Sequence, residues 1–292
     1  MNYKLIFETH FYKIYFLLSF GYNLLREIYK MLVFRKIGIR ALTLGEVLRQ
    51  KKSDTLFILA SGPTINEIGS KQWESISMCD SIGLNFWVAH DFTPNSLRFE
   101  LPYECNRRNY FFKMLKGKKS SFDHTKLFYD HHLSEKILPN KLHGYNPNQL
   151  FYPSSINLVG MNQENFKKSL RYAMTFSRKY SKYLFLPYKR GSVTTLISLG
   201  YLAGYKNIVL CGVDLNNVEY FYDSKYYKKK HPGFGSGQSG DILKSMDSKI
   251  SDLSLADIII TMNEEYFSKG SQKLFVSSKN SILFPKIPCY HN

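Results

Sequence analysis

The tetrapeptide Ser61-Gly62-Pro63-Thr64 has the residue types of a phosphate-binding turn. It follows residues 55–60, a short apolar run that predicts a buried strand, and it precedes an amphipathic segment beginning at Ile65. Backbone N–H groups at such a turn, with the hydroxyls of Ser61 and Thr64, can hold a phosphate. A Gly-Pro pair after a strand is also typical of a simple turn, so both interpretations stay open.

A second candidate group lies further along the chain, at the ends of a predicted helix and strand. Residues 207–214 form an apolar run that predicts a buried strand ending in Asp214. An acid at the carboxyl end of a parallel strand lies where ligands bind in such sheets. Ser192 begins the helix predicted for residues 192–203, where its hydroxyl can meet a ligand, cap the helix, or do both.

His231 is the candidate for proton transfer, because the unperturbed pKa of histidine, about 6.5, lies near neutral pH. It stands in Lys229-Lys-His-Pro-Gly233, after four tyrosines at positions 220, 222, 226 and 227. The same residues can instead be an exposed loop histidine and tyrosines that pack in the core. Lys228–Lys230 would add positive charge for a phosphate.

The predicted helices and strands that position these residues indicate an α/β protein. Apolar runs predict further strands at residues 81–84, 96–101, 126–129, 150–152 and 273–276, and helical periodicity predicts helices at 166–180 and 256–267. Strands alternating with helices indicate a mainly parallel, Rossmann-like sheet. Residues 216–240 have no regular pattern, which predicts a mobile lid that we place at about 215–252.

The amino-terminal segment, residues 3–36, is rich in leucine and aromatic residues, and charges interrupt it. Its longest uncharged run is about 12 residues, short of the roughly 20 that a spanning helix needs. We therefore predict an interfacial amphipathic helix, with Lys30, Arg35, Lys36 and Arg40 facing anionic lipid. The alternative is a helix packed on the Rossmann-like domain. The domain boundaries are 1–50 for this helical region and 51–292 for the Rossmann-like domain.

A formal net charge of +17 implies a partner of opposite sign. Anionic lipid, nucleic acid and an anionic sugar nucleotide all qualify. Nucleic acid is disfavoured, because no RNA-binding, helix-turn-helix or zinc-finger signature accompanies the charge. Four cysteines without a CxxC pair indicate reduced thiols and a cytosolic environment.

In this order, the motifs resemble those of the bacterial sialyltransferases of glycosyltransferase family 42. Residues 57–68, Phe-Ile-Leu-Ala-Ser-Gly-Pro-Thr-Ile-Asn-Glu-Ile, resemble the family's first strand and Gly-Pro-Ser turn, where the donor nucleotide lies. Asn85 resembles the family's donor-contacting asparagine at the end of the next strand. Residues 190–193 and 202–214 resemble the helix and strand that lead to the lid, and residues 273–283 resemble the last core strand and its Asn-Ser turn.

The resemblance implies a Rossmann-like fold of the GT-A-like type and an inverting transfer from a CMP-activated donor. It implies no metal and no cofactor beyond the donor itself. The sequence agrees on the metal, because it lacks a DxD-type pair, and Asp91, Asp123 and Asp130 stand singly.

The family places its catalytic histidine in the lid, which makes His231 the base by resemblance. His231 departs from the family's pattern in its spacing: it comes sooner after Asp214 than the family's base does, and the segment from it to the next helix is longer. The family also uses lid tyrosines on the leaving phosphate, and Tyr220 and Tyr222 are the chosen pair. The donor set is completed by Ser61, Gly62, Pro63, Thr64, Asn85, Ser192 and Asp214, with Arg190 pairing a donor or acceptor carboxylate.

The predicted function is therefore transfer of sialic acid, or a related sugar, from CMP to a glycan acceptor. Charge and the amino-terminal helix suggest a lipid-linked acceptor, such as lipooligosaccharide or a capsule precursor, at the cytoplasmic face of the inner membrane. A homo-oligomer is left open, as the family often forms tetramers. The alternatives are a Kdo, pseudaminic or legionaminic acid transferase, a non-catalytic basic protein that binds membrane or nucleic acid, and a pyrophosphokinase-like enzyme.

Overall fold

Eight parallel strands form the centre of the molecule. The computed structural model describes residues 12–36, 38–102, 104–130, 147–160, 162–216, 219–234, 253–268 and 270–290. The strands are β1 (Arg40–Ala41), β2 (Thr55–Leu59), β3 (Asp80–Leu84), β4 (Ser96–Glu100), β5 (Lys126–Asp130), β6 (Leu150–Tyr152), β9 (Asn207–Cys211) and β10 (Lys273–Val276). Their order across the sheet is β1-β6-β5-β4-β3-β2-β9-β10. Two further short strands, β7 (Ser155–Asn157) and β8 (Leu186–Tyr188), pair with each other in parallel.

The central strands are apolar on both faces, because both faces of the sheet are covered. All five residues of β2 are buried. Leu56 and Ile58 belong to one hydrophobic cluster, whereas Phe57 and Leu59 point to the other. The alternation follows from the two-residue period of a strand. The apolar run that predicted this strand is unbroken because its alternate residues are buried in two different hydrophobic clusters, one on each face of the sheet.

Helices pack on both clusters. They are α1 (Tyr12–Lys36), α2 (Leu44–Gln50), α3 (Ser70–Ser77), α4 (Cys105–Gly117), α5 (Gln163–Lys179), α6 (Ser192–Leu202), α7 (Lys225–Lys230) and α8 (Leu255–Met262), the last continuing as a π-helical turn at Asn263–Phe267. Five residues of α6, from Leu196 to Gly200, are buried in succession, so this helix is apolar all round and lies in the core.

The structure confirms the predicted α/β class and the mainly parallel sheet. The strands predicted at residues 150–152 and 273–276 have those bounds, and the other predicted strands differ by one to three residues at their ends. The predicted helices at 166–180, 192–203 and 256–267 are also present. The helix expected directly after the Gly-Pro turn is instead a 3-10 segment, Pro63–Glu67, followed by α3.

The predicted lid is more regular than its sequence suggested. Phe221–Asp223 forms a 3-10 turn and α7 follows it at once. Phe221, Tyr227 and Phe234 are buried in one hydrophobic cluster, so aromatic anchoring orders a stretch that lacks a clear period. Residues 217–218 and 235–252 of the predicted lid lie outside the described residues.

The amino-terminal helix α1 packs on the domain. Phe16 and Phe20 belong to the same core cluster as Leu56 and Ile58 of β2. The packed-helix alternative is therefore observed for residues 12–36. No helix among the described residues is long and apolar enough to cross a membrane.

Candidate active site

The segments that leave β2, β3, β4 and β9 emerge at one edge of the sheet, because these four strands are parallel neighbours. They carry Ser61, Asn85, Glu100 and Asp214 at or just beyond the strand ends. Ligands in open α/β sheets bind at this carboxyl edge. The fold thus brings Ser61 and Asn85, which were predicted to bind the donor, to the same edge of the sheet as Asp214 from the second half of the chain.

The Gly-Pro-Thr turn is held by Asp214. The backbone N–H of Thr64 donates to Asp214 Oδ2 at 3.0 Å, and the Thr64 hydroxyl donates to Oδ1 at 2.5 Å. Asp214 is 4% exposed, and burial raises the pKa of its carboxyl, against the two hydrogen bonds from Thr64 that lower it. Asp214 therefore acts in this structure as the anchor of the turn, and its predicted contact with the donor stays a prediction.

Position 62 requires glycine, because Asp214 and the Gly212 carbonyl lie very close to its Cα. A Cβ at position 62 would lie 2.5 Å from the carbonyl oxygen of Gly212 and closer still to Asp214 Oδ2. The Gly62 N–H donates to that same carbonyl at 2.8 Å. The glycine allows the turn to pack against the strand end, so its role in the site is to bring the two segments together.

Asn85, Glu100 and Ser192 form a hydrogen-bonded chain, which we name the edge cluster. The Glu100 N–H donates to Asn85 Oδ1 at 3.2 Å, and the Ser192 hydroxyl donates to Glu100 Oε1 at 2.6 Å. These contacts join the end of β3, the end of β4 and the start of α6. Two residues predicted to bind the donor are therefore joined by Glu100, Asn85 through its backbone N–H and Ser192 through its carboxylate, and the sequence analysis did not select this residue.

A signal for Glu100 was available in the sequence. It is an acid at the carboxyl end of a strand that the sequence predicted at 96–101, which is the criterion that singled out Asp214. The capping role considered for Ser192 is not observed. Gly191 is the N-cap residue of α6, and no side chain caps it.

Backbone strain accompanies the edge cluster. Asn85 has φ of 51° and Arg190 has φ of 49°, both in the left-handed region. Asparagine tolerates this conformation better than arginine does. Gly191, at φ 75°, follows Arg190 and completes the bend that directs Ser192 toward β4. Strained backbone of this kind is common where a site requires a particular geometry.

Arg98 lies beneath the edge cluster. It is 2% exposed and forms an ion pair with Asp130 at the end of β5, while its Nη1 lies 3.5 Å from Glu100 Oε1. Its Nε is buried without a hydrogen-bond partner among the described residues. Burial also raises the pKa of Tyr188, and the charge of Asp130 adds to that rise. A buried cation thus balances two carboxylates at this edge.

His231 lies in a second group of residues, at the carboxyl end of α7. Its backbone N–H donates to the Tyr227 carbonyl at 2.8 Å, and its Nε2 lies 3.2 Å from the carbonyl oxygen of Ala89. A carbonyl only accepts, so Nε2 carries the proton in the neutral ring and Nδ1 keeps its lone pair. Burial lowers the pKa of His231, which favours the neutral form that a base requires.

Three charged groups, Asp91, Lys118 and Lys230, act on His231. Together with Tyr226, which bonds to Asp91, we name them the lid cluster. Asp91 accepts from the Tyr226 hydroxyl at 2.6 Å and from Lys230. Lys118 donates to the carbonyl of His90, and burial lowers its pKa to about 8. The predicted phosphate-binding lysine Lys230 is thus engaged with a carboxylate.

An open pocket of about 560 Å³ lies beside the lid cluster. Its walls come from the 3-10 segment after the Gly-Pro turn, from α3, from the loop after β3 and from α7, with Asn66, Trp73, His90 and Tyr226 among them. Burial lowers the pKa of His90 to about 4, and its ring stacks on Trp87 at 4.4 Å. His90 was not selected from the sequence, where it carries no motif.

The two tyrosines chosen for the leaving phosphate stack on each other, with ring centroids 4.9 Å apart. Tyr222 is 2% exposed, and its ring also packs on Phe234 at 5.0 Å. Burial raises the pKa of Tyr222 well above its usual value. The packing role considered for these tyrosines is therefore observed for Tyr222, while Tyr220 is only half-buried.

The predicted lid is joined to the Gly-Pro-Thr turn through Phe221. The Phe221 N–H donates to the Ser61 carbonyl at 2.8 Å, and the Asn66 side chain donates to the Phe221 carbonyl at 3.1 Å. These two hydrogen bonds hold Phe221 of the predicted lid against the turn and the 3-10 segment that follows it. No group of three or more metal-ligating side chains occurs among the described residues.

Comparison with known proteins concerns the fold. The sequence matches no model of a protein family, and comparison with curated proteins finds no match either. Among solved structures, the chain is similar to an alpha-2,3-sialyltransferase from Campylobacter jejuni in apo form, with a TM-score of 0.40 and 14% identity over 81% of this chain and 80% of that chain.

Two structures of the sialyltransferase CstII are also similar to the chain, each over 80% of this chain and 85% of that chain with a TM-score of 0.42. One, from Campylobacter jejuni, holds the substrate analogue CMP-3FNeuAc and is 17% identical, and the other holds a trisaccharide acceptor with CMP and is 19% identical. At these values the likeness concerns the course of the chain and assigns no role to any residue.

Proposed function

We propose that this protein is a sialyltransferase-like glycosyltransferase, which moves a nonulosonic acid such as sialic acid from a CMP-activated donor to a glycan acceptor. The observation that carries the proposal is the edge cluster, where Asn85, Glu100 and Ser192 meet at the carboxyl edge of a parallel sheet. The sequence resemblance to the bacterial sialyltransferases, which rests on Asn85 and Ser192 among other residues, supports the CMP donor.

In the proposed reaction, an acceptor hydroxyl attacks the anomeric carbon of the donor sugar. The bond from that carbon to the phosphate oxygen breaks, CMP leaves with the electron pair, and the hydroxyl proton passes to a base. A single displacement of this kind inverts the anomeric centre. The donor phosphate would lie at the amino terminus of α6, where N–H groups and the helix dipole favour negative charge, and beside the Ser61 hydroxyl. The N–H groups of Gly62 and Thr64 are already engaged at the turn.

His231 is the proposed base, acting through Nδ1. Two features support it: the hydrogen bond of Nε2 to Ala89, which defines the tautomer, and the lowered pKa, which keeps the ring neutral. Proton transfer by a positioned side chain of this kind contributes about 10²- to 10⁴-fold in other enzymes. No metal is assigned a step, and the leaving phosphate is stabilised by N–H groups and lid cations.

The first experiment measures thermal stabilisation by CMP, CDP, UDP, GDP and ADP. A ligand that binds the native state alone raises the unfolding temperature, and the stabilisation grows with the logarithm of ligand concentration over Kd. We expect stabilisation by the cytidine nucleotides and reduced stabilisation in Ser192→Ala. The matched control is Ser77→Ala, because the exposed Ser77 hydroxyl donates to the Glu74 carbonyl within its own helix, α3. Indifference to every nucleotide would remove the transferase proposal and favour a non-catalytic basic protein.

The second experiment measures turnover of CMP-activated sialic, pseudaminic and legionaminic acids and of CMP-Kdo. His231→Ala should lose at least about 100-fold in turnover while keeping CMP stabilisation. Loss of CMP binding in this variant would instead make His231 a donor ligand. The preferred donor among the four distinguishes sialic acid transfer from its alternatives on the same fold.

The proposed acceptor is a lipid-linked glycan, such as lipooligosaccharide or a capsule precursor, at the cytoplasmic face of the inner membrane. The net charge of +17 supports an acceptor held at an anionic surface. Faster transfer to a vesicle-bound glycolipid than to its soluble glycan is the expected result. Equal rates would remove the lipid-linked acceptor. A homo-oligomer, proposed by resemblance to the family, is tested by light scattering of the purified chain.

A further inference from the structure

Helix α1 has two apolar faces, and the part of the domain that the structure describes covers one of them. The inner face carries Phe16, Phe20 and Phe34, which are buried. The opposite face carries six large apolar side chains that are between 55% and 69% exposed. We name these six the outer stripe: Ile14, Leu18, Tyr22, Leu25, Tyr29 and Leu32.

The inner face fixes how the helix is rotated. Phe20 meets Tyr172 and Phe176 of α5 edge-on, each with ring centroids 5.2 Å apart. Phe34 packs on Tyr152 at 4.7 Å. Aromatic contacts of this kind add to the burial of the rings, so turning the helix to bury the outer stripe instead would expose three phenylalanines.

A buried charge locks the same rotation. Glu27 is 1% exposed, and it accepts hydrogen bonds from the Tyr152 hydroxyl and from the Ser155 N–H, the latter at 3.2 Å. Lys30 completes the group at 3.1 Å from Glu27. A buried carboxylate of this kind is costly to leave unpaired. The outer stripe therefore faces away from the domain as a fixed property of the fold.

The outer stripe is continuous along the helix. Its members are separated by three or four residues from position 14 to position 32, the spacing that places side chains on one helix face. At a rise of about 1.5 Å per residue this stripe is about 27 Å long. A contiguous exposed apolar surface of this kind marks an interaction site.

The charges beside the outer stripe select its partner. Lys13, Arg35 and Lys36 are exposed, and Arg26 is partly exposed. Glu27 is the only acid between residues 12 and 36, and it is buried. A second copy of this helix would bring the same positive charge to the contact, whereas anionic lipid headgroups would neutralise it.

We infer that the outer stripe of α1 binds the surface of an anionic lipid bilayer, with the helix lying flat on the membrane while its inner face stays docked on the domain. Leucine and isoleucine side chains enter the boundary between headgroups and acyl chains, and Tyr22 and Tyr29 keep their hydroxyls near the headgroups. This inference concerns a surface away from the edge and lid clusters, and it does not depend on the proposed transfer reaction.

The test measures co-sedimentation of the full chain with vesicles of phosphatidylglycerol and phosphatidylcholine, and with vesicles of phosphatidylcholine alone. The variant Leu18→Glu/Leu25→Glu/Leu32→Glu should lose more than about 100-fold in partitioning to the anionic vesicles. The matched control is Leu48→Glu/Met78→Glu/Ile282→Glu, which places the same three charges on exposed aliphatic positions elsewhere. We expect the control to retain partitioning within about 5-fold, the change that one surface charge produces.

Two further measurements separate the outcomes. Replacing Arg35 and Lys36 with glutamine should weaken binding to anionic vesicles by about 5-fold for each charge removed. Light scattering without lipid reports whether the chain self-associates. Equal loss of partitioning in the two triple variants would overturn the inference. A lipid-independent dimer that only the outer-stripe variant dissociates would also overturn it, because the stripe would then bind a second copy.

Discussion

The hydroxyl of Ser192 donates a 2.6 Å hydrogen bond to Oε1 of Glu100, across 92 positions of the chain. The contact joins the first residue of α6 to the last residue of β4. It places a carboxylate and a hydroxyl where the amino terminus of a helix meets the carboxyl edge of the sheet. The N–H groups at the helix terminus can hold a phosphate, and the carboxylate can accept hydrogen bonds from the hydroxyls of a sugar.

Replacing Glu100 with alanine should weaken CMP binding, because Ser192 loses the group that orients its hydroxyl. We expect about a 10-fold loss of affinity by calorimetry, the size associated with one hydrogen bond to a charged group. Glu100→Gln keeps an oxygen that can accept from Ser192 and should recover part of the loss. An unchanged CMP affinity in Glu100→Ala would place the edge cluster outside the donor site.

Replacing Gly62 with alanine should destabilise the protein, because the new methyl group would overlap Asp214 and the Gly212 carbonyl. Forced overpacking of this kind costs about 1–3 kcal/mol. The control is Gly117→Ala, because no atom lies within 4 Å of a Cβ at that position in α4. Denaturant unfolding checks both variants, and an equal free energy of unfolding for the two would mean that the turn relaxes freely.

The pH profile of turnover should have an acidic limb that reports His231. Burial lowers the pKa of this histidine from its usual 6.5, so the neutral base is present above the lowered value and is lost as pH falls through it. The limb is therefore expected below pH 6.5. It should disappear in His231→Ala, where the residual rate no longer depends on protonation of this ring.

Lys118 allows the sign of that shift to be tested. Its positive charge lowers the pKa of His231, after the larger effect of burial. Lys118→Met should therefore move the acidic limb to higher pH, whereas Lys119→Met, at an exposed neighbouring position, should leave it in place. A limb that moves equally in both variants would assign the titration to a group other than His231.

Tyr220 and Tyr222 should respond differently to loss of the hydroxyl. Tyr222 is buried against Tyr220 and Phe234, so Tyr222→Phe should keep turnover within about 2-fold, a change of about 0.4 kcal/mol. Tyr220 is half-buried and is the better placed of the two to meet the leaving phosphate. We expect Tyr220→Phe to lose about 10-fold in turnover at unchanged thermal stability. A larger loss in Tyr222→Phe than in Tyr220→Phe would reverse this assignment.

Local sequence patterns were sufficient for most of the fold. The apolar run at residues 55–60 predicted β2, and the Gly-Pro pair predicted the turn that follows it. These features depend on neighbouring residues, through backbone geometry and the burial of one short segment. The same reasoning missed α7 within the predicted lid, because this helix owes its order to aromatic contacts such as that of Tyr227 with Phe221.

The sequence by itself determined the strands, the turn and the amphipathic character of α1, since each depends on residues that are close together in the chain. It also determined the basic charge, which depends on composition alone. Only the tertiary structure decided that Ser192 donates to Glu100 and that Thr64 donates to Asp214. It also decided that Tyr222 is buried and that α1 packs on the core through the face that carries Phe16, Phe20 and Phe34. These partners lie far apart in sequence, and the order and register of the parallel strands bring them together. Strand order follows from the packing of the whole sheet, which no local period encodes.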